Sequence, residues 1–138
     1  MSDEAFAAVV EALARRDLTS MELDRRLERA GFEADVRAEA IARAAGAGYL
    51  DDARVALERG RRLADRNASD AAIRVELERR GVEEEAVAAA ISALVPETER
   101  AERLSRRIGG GTRAARTLCR KGYPEDVVER VMRSVVAE

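Results

Sequence analysis

The sequence predicts an all-α fold made of tandem three-helix repeats, with about nine helices in an elongated array whose curvature is left open. Alanine, leucine, arginine and glutamate, which are strong helix formers, dominate the 138 residues. Apolar residues recur three and four positions apart, whereas the strict alternation that is typical of strands does not recur. Hydrophobic residues make up 46% of the chain, which excludes a generally disordered protein.

The first repeat is predicted from apolar spacing and from the signals that begin and end helices. Its first helix carries apolar residues on one face: Phe6, Val9, Val10 and Leu13. Thr19, followed by Glu22 three residues later, predicts a capping box at the start of the second helix. That helix ends at Gly31, since glycine readily adopts the left-handed conformation that closes a helix. A third helix is expected at about 33–45.

The second repeat is predicted from two further N-caps. Asp51 caps the fourth helix, which we expect to bend or fray at Gly60, because glycine is less favourable in a helix than alanine by about 1 kcal/mol. Ser69 is the predicted N-cap of the fifth helix, which ends at Gly81. The sixth helix is expected to run to about Val95.

The third repeat begins at Pro96, which suits the first position of a helix because no partner is needed there for the missing N–H. Residues 109–111 are three glycines and predict a flexible break. Thr112 is the predicted N-cap of the eighth helix, which ends at Gly122, and Pro124 opens the ninth.

Aligning the chain on Gly31, Gly81 and Gly122 produces five columns of matching residues. The two clearest columns lie four positions before each glycine and one position after it: Leu27, Leu77 and Leu118, then Phe32, Val82 and Tyr123. We interpret each unit as two helices that meet at a glycine corner, with the following apolar residue packed between them. The predicted repeats span residues 1–48, 49–95 and 96–138. The alternative is a single helical bundle whose glycine ends coincide.

The charge balance disfavours a protein whose main activity is to coat DNA. Charged residues are 38% of the chain, but the net charge is only −2, whereas such domains are usually strongly basic. The N-terminal residues lack the basic region and the apolar stretch of a signal peptide, and no run approaches the roughly 18 apolar residues of a membrane span. We therefore expect a soluble, cytoplasmic protein.

Few residues are suited to catalysis or metal binding. The chain has no histidine, and we expect its single cysteine, Cys119, to be buried or half-buried rather than nucleophilic. The acidic groups at 51–52 and 83–85 lie where helices are expected to begin, so the helix dipole explains them without a metal. The glycines at 109–111 lack the lysine and the preceding strand of a phosphate-binding loop. The sequence therefore predicts no catalytic residue, no cofactor, no metal site and no enzyme.

Clusters of basic residues are the strongest candidates for binding. Several end helices, and 79–80 and 120–121 occupy the same place before their corner glycines. Cations in a last helical turn stabilise the helix dipole, which explains part of the set. The functional interpretation is a series of patches that face an acidic or phosphate-bearing partner. The predicted partner-binding residues are Arg25, Arg26, Arg29, Arg61, Arg62, Arg79, Arg80, Arg106, Arg107, Arg120 and Lys121.

Several short motifs, taken in order, resemble the RecX family of RecA regulators. The first repeat carries two of them: Leu18 to Leu27 followed by Gly31-Phe32, and Gly48-Tyr49-Leu50-Asp51-Asp52. The later repeats resemble the family at two corners: Ile73, Glu76, Leu77, Gly81 and Val82, then Leu118, Lys121, Gly122 and Tyr123. The resemblance extends from about residue 6 to residue 136. It departs at Val55, where the family often has an aromatic residue, and at 67–70, where the family tends to have Gly-Pro.

This resemblance implies a regulator without an active site or cofactor that binds the RecA filament on single-stranded DNA. Such a protein inhibits RecA and modulates its ATPase, strand-exchange and co-protease activities in DNA repair and the SOS response. We further expect a monomer that has no membrane contact and contacts single-stranded DNA weakly.

The alternative function is a helix-turn-helix-type DNA-binding module, since three-helix units with glycine corners also serve that purpose. The third helix mixes charges of both signs, which makes it poorly suited to contact a DNA groove: Glu33, Asp35, Arg37, Glu39 and Arg43.

Overall fold

The computed structural model describes the backbone of residues 2–137 and the side chains of residues 3–134, and all regular structure in that part of the chain is helical. The helices are α1 (Ser2–Arg15), α2 (Ser20–Arg29), α3 (Ala34–Gly46), α4 (Asp52–Asp65), α5 (Asp70–Arg79), α6 (Glu84–Ser92), α7 (Glu97–Ile108), α8 (Gly111–Arg120) and α9 (Glu125–Ala137). The all-α prediction is confirmed. Within these bounds, no helix combines the length and the apolar character needed to cross a membrane.

The helices form three sets, and each set surrounds its own hydrophobic core. In the described part of the chain, extensive packing between helices occurs within α1–α3, within α4–α6 and within α7–α9. The three cores contain the leucines of the predicted corner column: Leu27, Leu77 and Leu118. The prediction of tandem three-helix repeats is therefore confirmed. The predicted boundaries at 48/49 and 95/96 fall in the loops between the sets.

The molecule exposes more surface than a compact protein of its size. Its accessible surface is 8535 Å², compared with roughly 7,100 Å² for an average folded monomer of the same mass. The excess follows from three small cores arranged in a row, because each repeat keeps much of its own surface exposed.

The predicted caps of α2, α4 and α5 are all present. Thr19 Oγ1 accepts the Glu22 N–H at 3.2 Å, and Glu22 Oε1 accepts the Thr19 N–H at 2.9 Å, which completes the capping box of α2. Asp51 and Ser69 each accept the N–H of the third residue of their helix, at 3.2 Å and 3.1 Å. Each side chain thus satisfies a backbone N–H that the first helical turn leaves unpaired.

The three corner glycines end α2, α5 and α8 in the same way. Gly31, Gly81 and Gly122 have φ angles of +93°, +86° and +91°, a left-handed conformation that other residues disfavour. At each corner, the apolar residue after the glycine donates its N–H to the carbonyl of the leucine four positions before the glycine, at 3.0–3.1 Å. This hydrogen bond directs the apolar residue back toward the core of its repeat.

The start of α8 differs from the prediction. Thr112 does not cap this helix, because Gly110 is the N-cap and the helix begins at Gly111. All three glycines at 109–111 have positive φ angles. The chain can therefore reverse direction and enter the helix earlier than residues with side chains would allow.

Three smaller expectations are also corrected. Cys119 is exposed rather than buried or half-buried, because its neighbour Leu118 takes the inward position on α8. Gly60 does not interrupt α4. It is buried, and a Cβ atom added there would lie 3.8 Å from the Cβ of Ala90, so α4 and α6 approach closely at this point. Pro96 is the N-cap of α7 rather than its first residue.

Candidate partner-binding surface

Successive repeats are joined by polar contacts that start at the N-cap of a helix. At the first joint, the Thr19 hydroxyl donates to the main-chain carbonyl of Arg80 at 2.6 Å, and the Ser20 N–H donates to Asp52 Oδ1 at 2.9 Å. Thr19 is fully buried. Its hydroxyl therefore caps α2 and holds the corner of the next repeat at the same time.

The second joint repeats this arrangement. The Ser69 hydroxyl donates to the carbonyl of Lys121 at 3.0 Å, and the Asp70 N–H donates to Glu97 Oε2 at 2.7 Å. Thr19 and Ser69 each lie twelve positions before a corner glycine. In the third repeat, the residue twelve positions before the corner glycine is Gly110, which has no hydroxyl. The hydroxyl residues of the first two repeats form two joints of the same type.

An arginine in each of the later repeats reaches back across its joint. Arg59 and Arg100 both lie twenty-two positions before a corner glycine. Arg59 Nη2 donates to the carbonyl of Asp17, and Arg100 Nη2 donates to the carbonyl of Ala68, both at 3.0 Å. The first repeat has Val9 at this position, buried in its core.

Glu22 links the charged groups of the first joint. Its carboxylate lies 3.1 Å from Arg59 Nη2 and 3.0 Å from Arg80 Nη1, while Arg80 Nε also lies 2.8 Å from Glu76. Burial alone would raise the pKa of Glu22, but the Thr19 N–H and the two arginines hold it below its ordinary value. The arginine neighbours of Glu76 likewise outweigh burial and lower the pKa of that carboxyl group.

Arg100 lies at the centre of the second joint, with a side chain that is only 6% exposed. Its Nη2 also donates to Asp70 Oδ1 at 2.9 Å, and its Nη1 donates to the carbonyl of Val95 at 3.0 Å. Its Nε is buried and has no hydrogen-bond partner among the described residues. Nearby, burial raises the pKa of Glu97 above its ordinary value, and the Asp70 carboxylate adds to that rise, whereas the Asp70 N–H and Arg100 oppose it without reversing it.

Each joint lies beside an open cleft. The first cleft, of about 630 Å³, lies between the end of α1 and α4, and its arginines are Arg15, Arg16, Arg59, Arg62, Arg66 and Arg80. The second cleft, of about 520 Å³, lies between α4, the segment after α6, and α7, and its arginines are Arg61, Arg100, Arg103 and Arg107. The helix α4 therefore forms a wall of both clefts.

The structure distributes the sequence-predicted residues over several surfaces. Arg80 is half-buried and paired inside the molecule, whereas the other ten are exposed. Arg61 and Arg62 are adjacent in sequence but line different clefts, and Arg107 joins Arg61 in the second one. The remaining predicted residues line neither cleft: Arg25, Arg26, Arg29, Arg79, Arg106, Arg120 and Lys121.

The sequence analysis missed an arginine spacing that the two clefts share. Three arginines of each cleft lie 22, 19 and 15 positions before a corner glycine: Arg59, Arg62 and Arg66, then Arg100, Arg103 and Arg107. This spacing of three and four residues places the side chains on one face of a helix. Extending the glycine alignment back into the first helix of each repeat would have revealed it, whereas the prediction considered only short clusters of neighbouring basic residues.

Comparisons with known proteins identify the family. No protein-family model matches the chain. The chain is 34% identical over 131 residues to the regulatory protein RecX of Stenotrophomonas maltophilia (strain R551-3), and the match covers 88% of this chain and 80% of that relative. It is also 34% identical over 121 residues to the regulatory protein RecX of Xanthomonas campestris pv. campestris (strain B100), covering 80% and 75% of the two chains. The chain belongs to the RecX family.

Solved structures share the fold of this RecX family member. A crystal structure of RecX from Lactobacillus salivarius superposes with a TM-score of 0.85 at 17% identity, covering 99% of this chain and 97% of the other. A second crystal structure, of a regulatory protein RecX, superposes with a TM-score of 0.80 at 18% identity, covering 94% and 72%. The fold is thus retained at low sequence identity. At this identity, the structural similarity shows the fold and nothing about function.

Proposed function

We propose that this protein regulates RecA by binding the RecA filament on single-stranded DNA and inhibiting it. The observation that carries the proposal is the similarity to a curated protein named regulatory protein RecX over 88% of the chain. Inhibition of this kind would lower the ATPase, strand-exchange and co-protease activities of RecA, and would act in DNA repair and the SOS response.

The geometry supports binding to an extended protein surface. Exposed arginines occur in every repeat, and repeats in a row can contact successive subunits of a polymer. Guanidinium groups suit carboxylate-rich surfaces because they form planar, two-pronged hydrogen bonds with carboxylates. A partner that itself carries DNA is strongly negative. Local clusters of arginine can therefore bind it without a large positive net charge on this chain.

The test is the single-stranded-DNA-dependent ATPase of the cognate RecA, titrated with this protein from far below one molecule per RecA up to equal amounts. We expect inhibition well below equal amounts, because a protein that blocks filament growth acts on a few filament ends. No inhibition, even in excess, would contradict the proposed function. Tight, sequence-specific binding to duplex DNA that weakens steeply with salt would instead favour the helix-turn-helix alternative.

A charge-reversed variant locates the surface. Arg120→Glu with Lys121→Glu should weaken inhibition without unfolding the chain, because both side chains are exposed and only the carbonyl of Lys121 contributes to the second joint. The control is Arg130→Glu with Arg133→Glu, which makes the same charge change at two exposed positions of α9. If the first variant inhibits as well as the control, the corner residues are not part of the surface. Arg79 and Arg80 are less suitable for this test, since Arg80 holds the first joint.

A further inference from the structure

The two clefts differ in how their arginines are neutralised. At the first joint, Glu22 and Glu76 supply carboxylates to Arg59 and Arg80. The matching positions of the second joint, counted from the corner glycines, hold Ala72 and Thr117, which carry no charge. The second joint therefore lacks these two carboxylates, and its own carboxylates, Asp70 and Glu97, contact Arg100 and the Asp70 N–H.

Positive charge dominates the second cleft. Of the residues that the structure describes, four arginines and a single carboxylate, that of Asp65, line it. Among the described side chains, no carboxylate lies at ion-pair distance from Arg61 or Arg107, and the carboxylate nearest to Arg103 is that of Glu99 at 4.0 Å. The cleft is thus a local concentration of positive charge on a chain whose net charge is −2.

The base of this cleft is ordered by internal contacts of Arg100. Arg100 is held in one orientation by the carbonyls of Ala68 and Val95 and by the carboxylate of Asp70. Because Arg100 pairs with Asp70 and its Nη groups bond to internal acceptors, Arg100 gives the cleft a rigid base, and contacts with a ligand depend on the other arginines. The exposed Arg103 and Arg107 lie beside it and are free to contact a ligand directly.

The remaining lining residues indicate the kind of ligand. Leu94 and Val95 line the cleft, and Val95 is 38% exposed although it is apolar. Among the described residues, no aromatic side chain lines the cleft, whereas proteins that bind single-stranded nucleic acid commonly stack bases on aromatic side chains. We infer that the second cleft binds a segment of a partner protein in which an acidic side chain lies next to an apolar one. The inference rests on the proposed function only for the identity of that partner.

The test uses a fluorescein-labelled peptide of alternating glutamate and leucine residues, with fluorescence anisotropy as the readout. We expect the full-length protein to bind it, and Arg103→Glu with Arg107→Glu to weaken binding about tenfold or more, since two attractive charges become repulsive. Replacing the glutamates of the peptide with glutamine should weaken binding by a similar factor, because the charge-assisted hydrogen bonds are lost. The control variant is again Arg130→Glu with Arg133→Glu, which should bind like the wild type.

Three results would overturn the inference. The first is that the labelled peptide does not bind the wild type. The second is that the cleft variant and the control variant lose binding equally, which would show a response to net charge alone. The third is that labelled oligothymidylate binds through Arg103 and Arg107 while the peptide does not, which would make the ligand a nucleic acid.

The ATPase titration keeps this inference separate from the proposed function. Binding of the peptide through the cleft, without inhibition of RecA by the wild type, would refute the proposed function and support the inference. Inhibition of RecA that survives Arg103→Glu with Arg107→Glu, together with unaltered peptide binding in that variant, would refute the inference and leave the proposed function standing.

Discussion

Replacing Gly81 with alanine should destabilise the protein more than the same change at Gly31. Both glycines end a helix with a similar positive φ angle, +86° and +93°. Forcing an alanine into the left-handed conformation costs about 1–2 kcal/mol, and this cost applies to both positions. The difference between the two variants therefore reports on the surroundings of each glycine.

Those surroundings differ because, of these two glycines, only Gly81 lies close to a side chain of another repeat. A Cβ atom added at Gly81 would overlap the Cβ, Cγ and Sδ atoms of Met21 on α2, whereas a Cβ atom at Gly31 would have no described neighbour within 4 Å. Relieving such an overlap costs about 1–3 kcal/mol. We therefore expect a loss of about 1–2 kcal/mol for Gly31→Ala and about 2–5 kcal/mol for Gly81→Ala. Met21→Ala would rescue the second variant only in part, because the Cβ overlap remains.

The assay is urea unfolding followed by far-ultraviolet circular dichroism, with the free energy of unfolding compared at equal slopes. A larger loss for Gly81→Ala would support a first joint in which α2 packs directly on the corner of the second repeat. Equal losses in the two variants would refute the reasoning, because they would show that Met21 moves away from the new side chain without a loss of stability.

The remaining predictions concern the joints, and unfolding in urea measures each of them. Ser69→Ala should cost about 1–2 kcal/mol more than Asp51→Ala, because both remove a cap but only Ser69 also bonds across a joint; equal costs would contradict this. Glu22→Gln should cost about 1–2 kcal/mol at neutral pH, and the difference from the wild type should shrink as the pH falls through the lowered pKa of Glu22. Glu97→Gln should not destabilise the protein at neutral pH. The raised pKa of Glu97 means that the folded state disfavours the charged carboxylate, so the wild type loses stability as the pH rises through that pKa. A clear loss on Glu97→Gln would show that the charge is needed.

The sequence determined the helices and the repeat, because the interactions that begin and end a helix act over a few residues. The Thr19 hydroxyl reaches an N–H three residues away, and each corner glycine acts within its own turn. The corner leucines could be placed in the cores because the spacing of apolar residues alone defines the inward face. Thr112 was predicted wrongly because the preceding glycines allow an earlier helix start, which the residue types do not reveal.

Only the tertiary structure decided which arginines serve the fold and which remain available to a partner. Arg79 and Arg80 look alike in sequence, yet Arg80 pairs with Glu22, 58 residues away, while the side chain of Arg79 is 72% exposed. The joints likewise connect groups that are far apart along the chain, 61 residues for Thr19 and Arg80 and 52 for Ser69 and Lys121. The charge of an arginine is set by its type, but its burial and its partners depend on the element packed opposite it, which residue spacing within one helix does not specify.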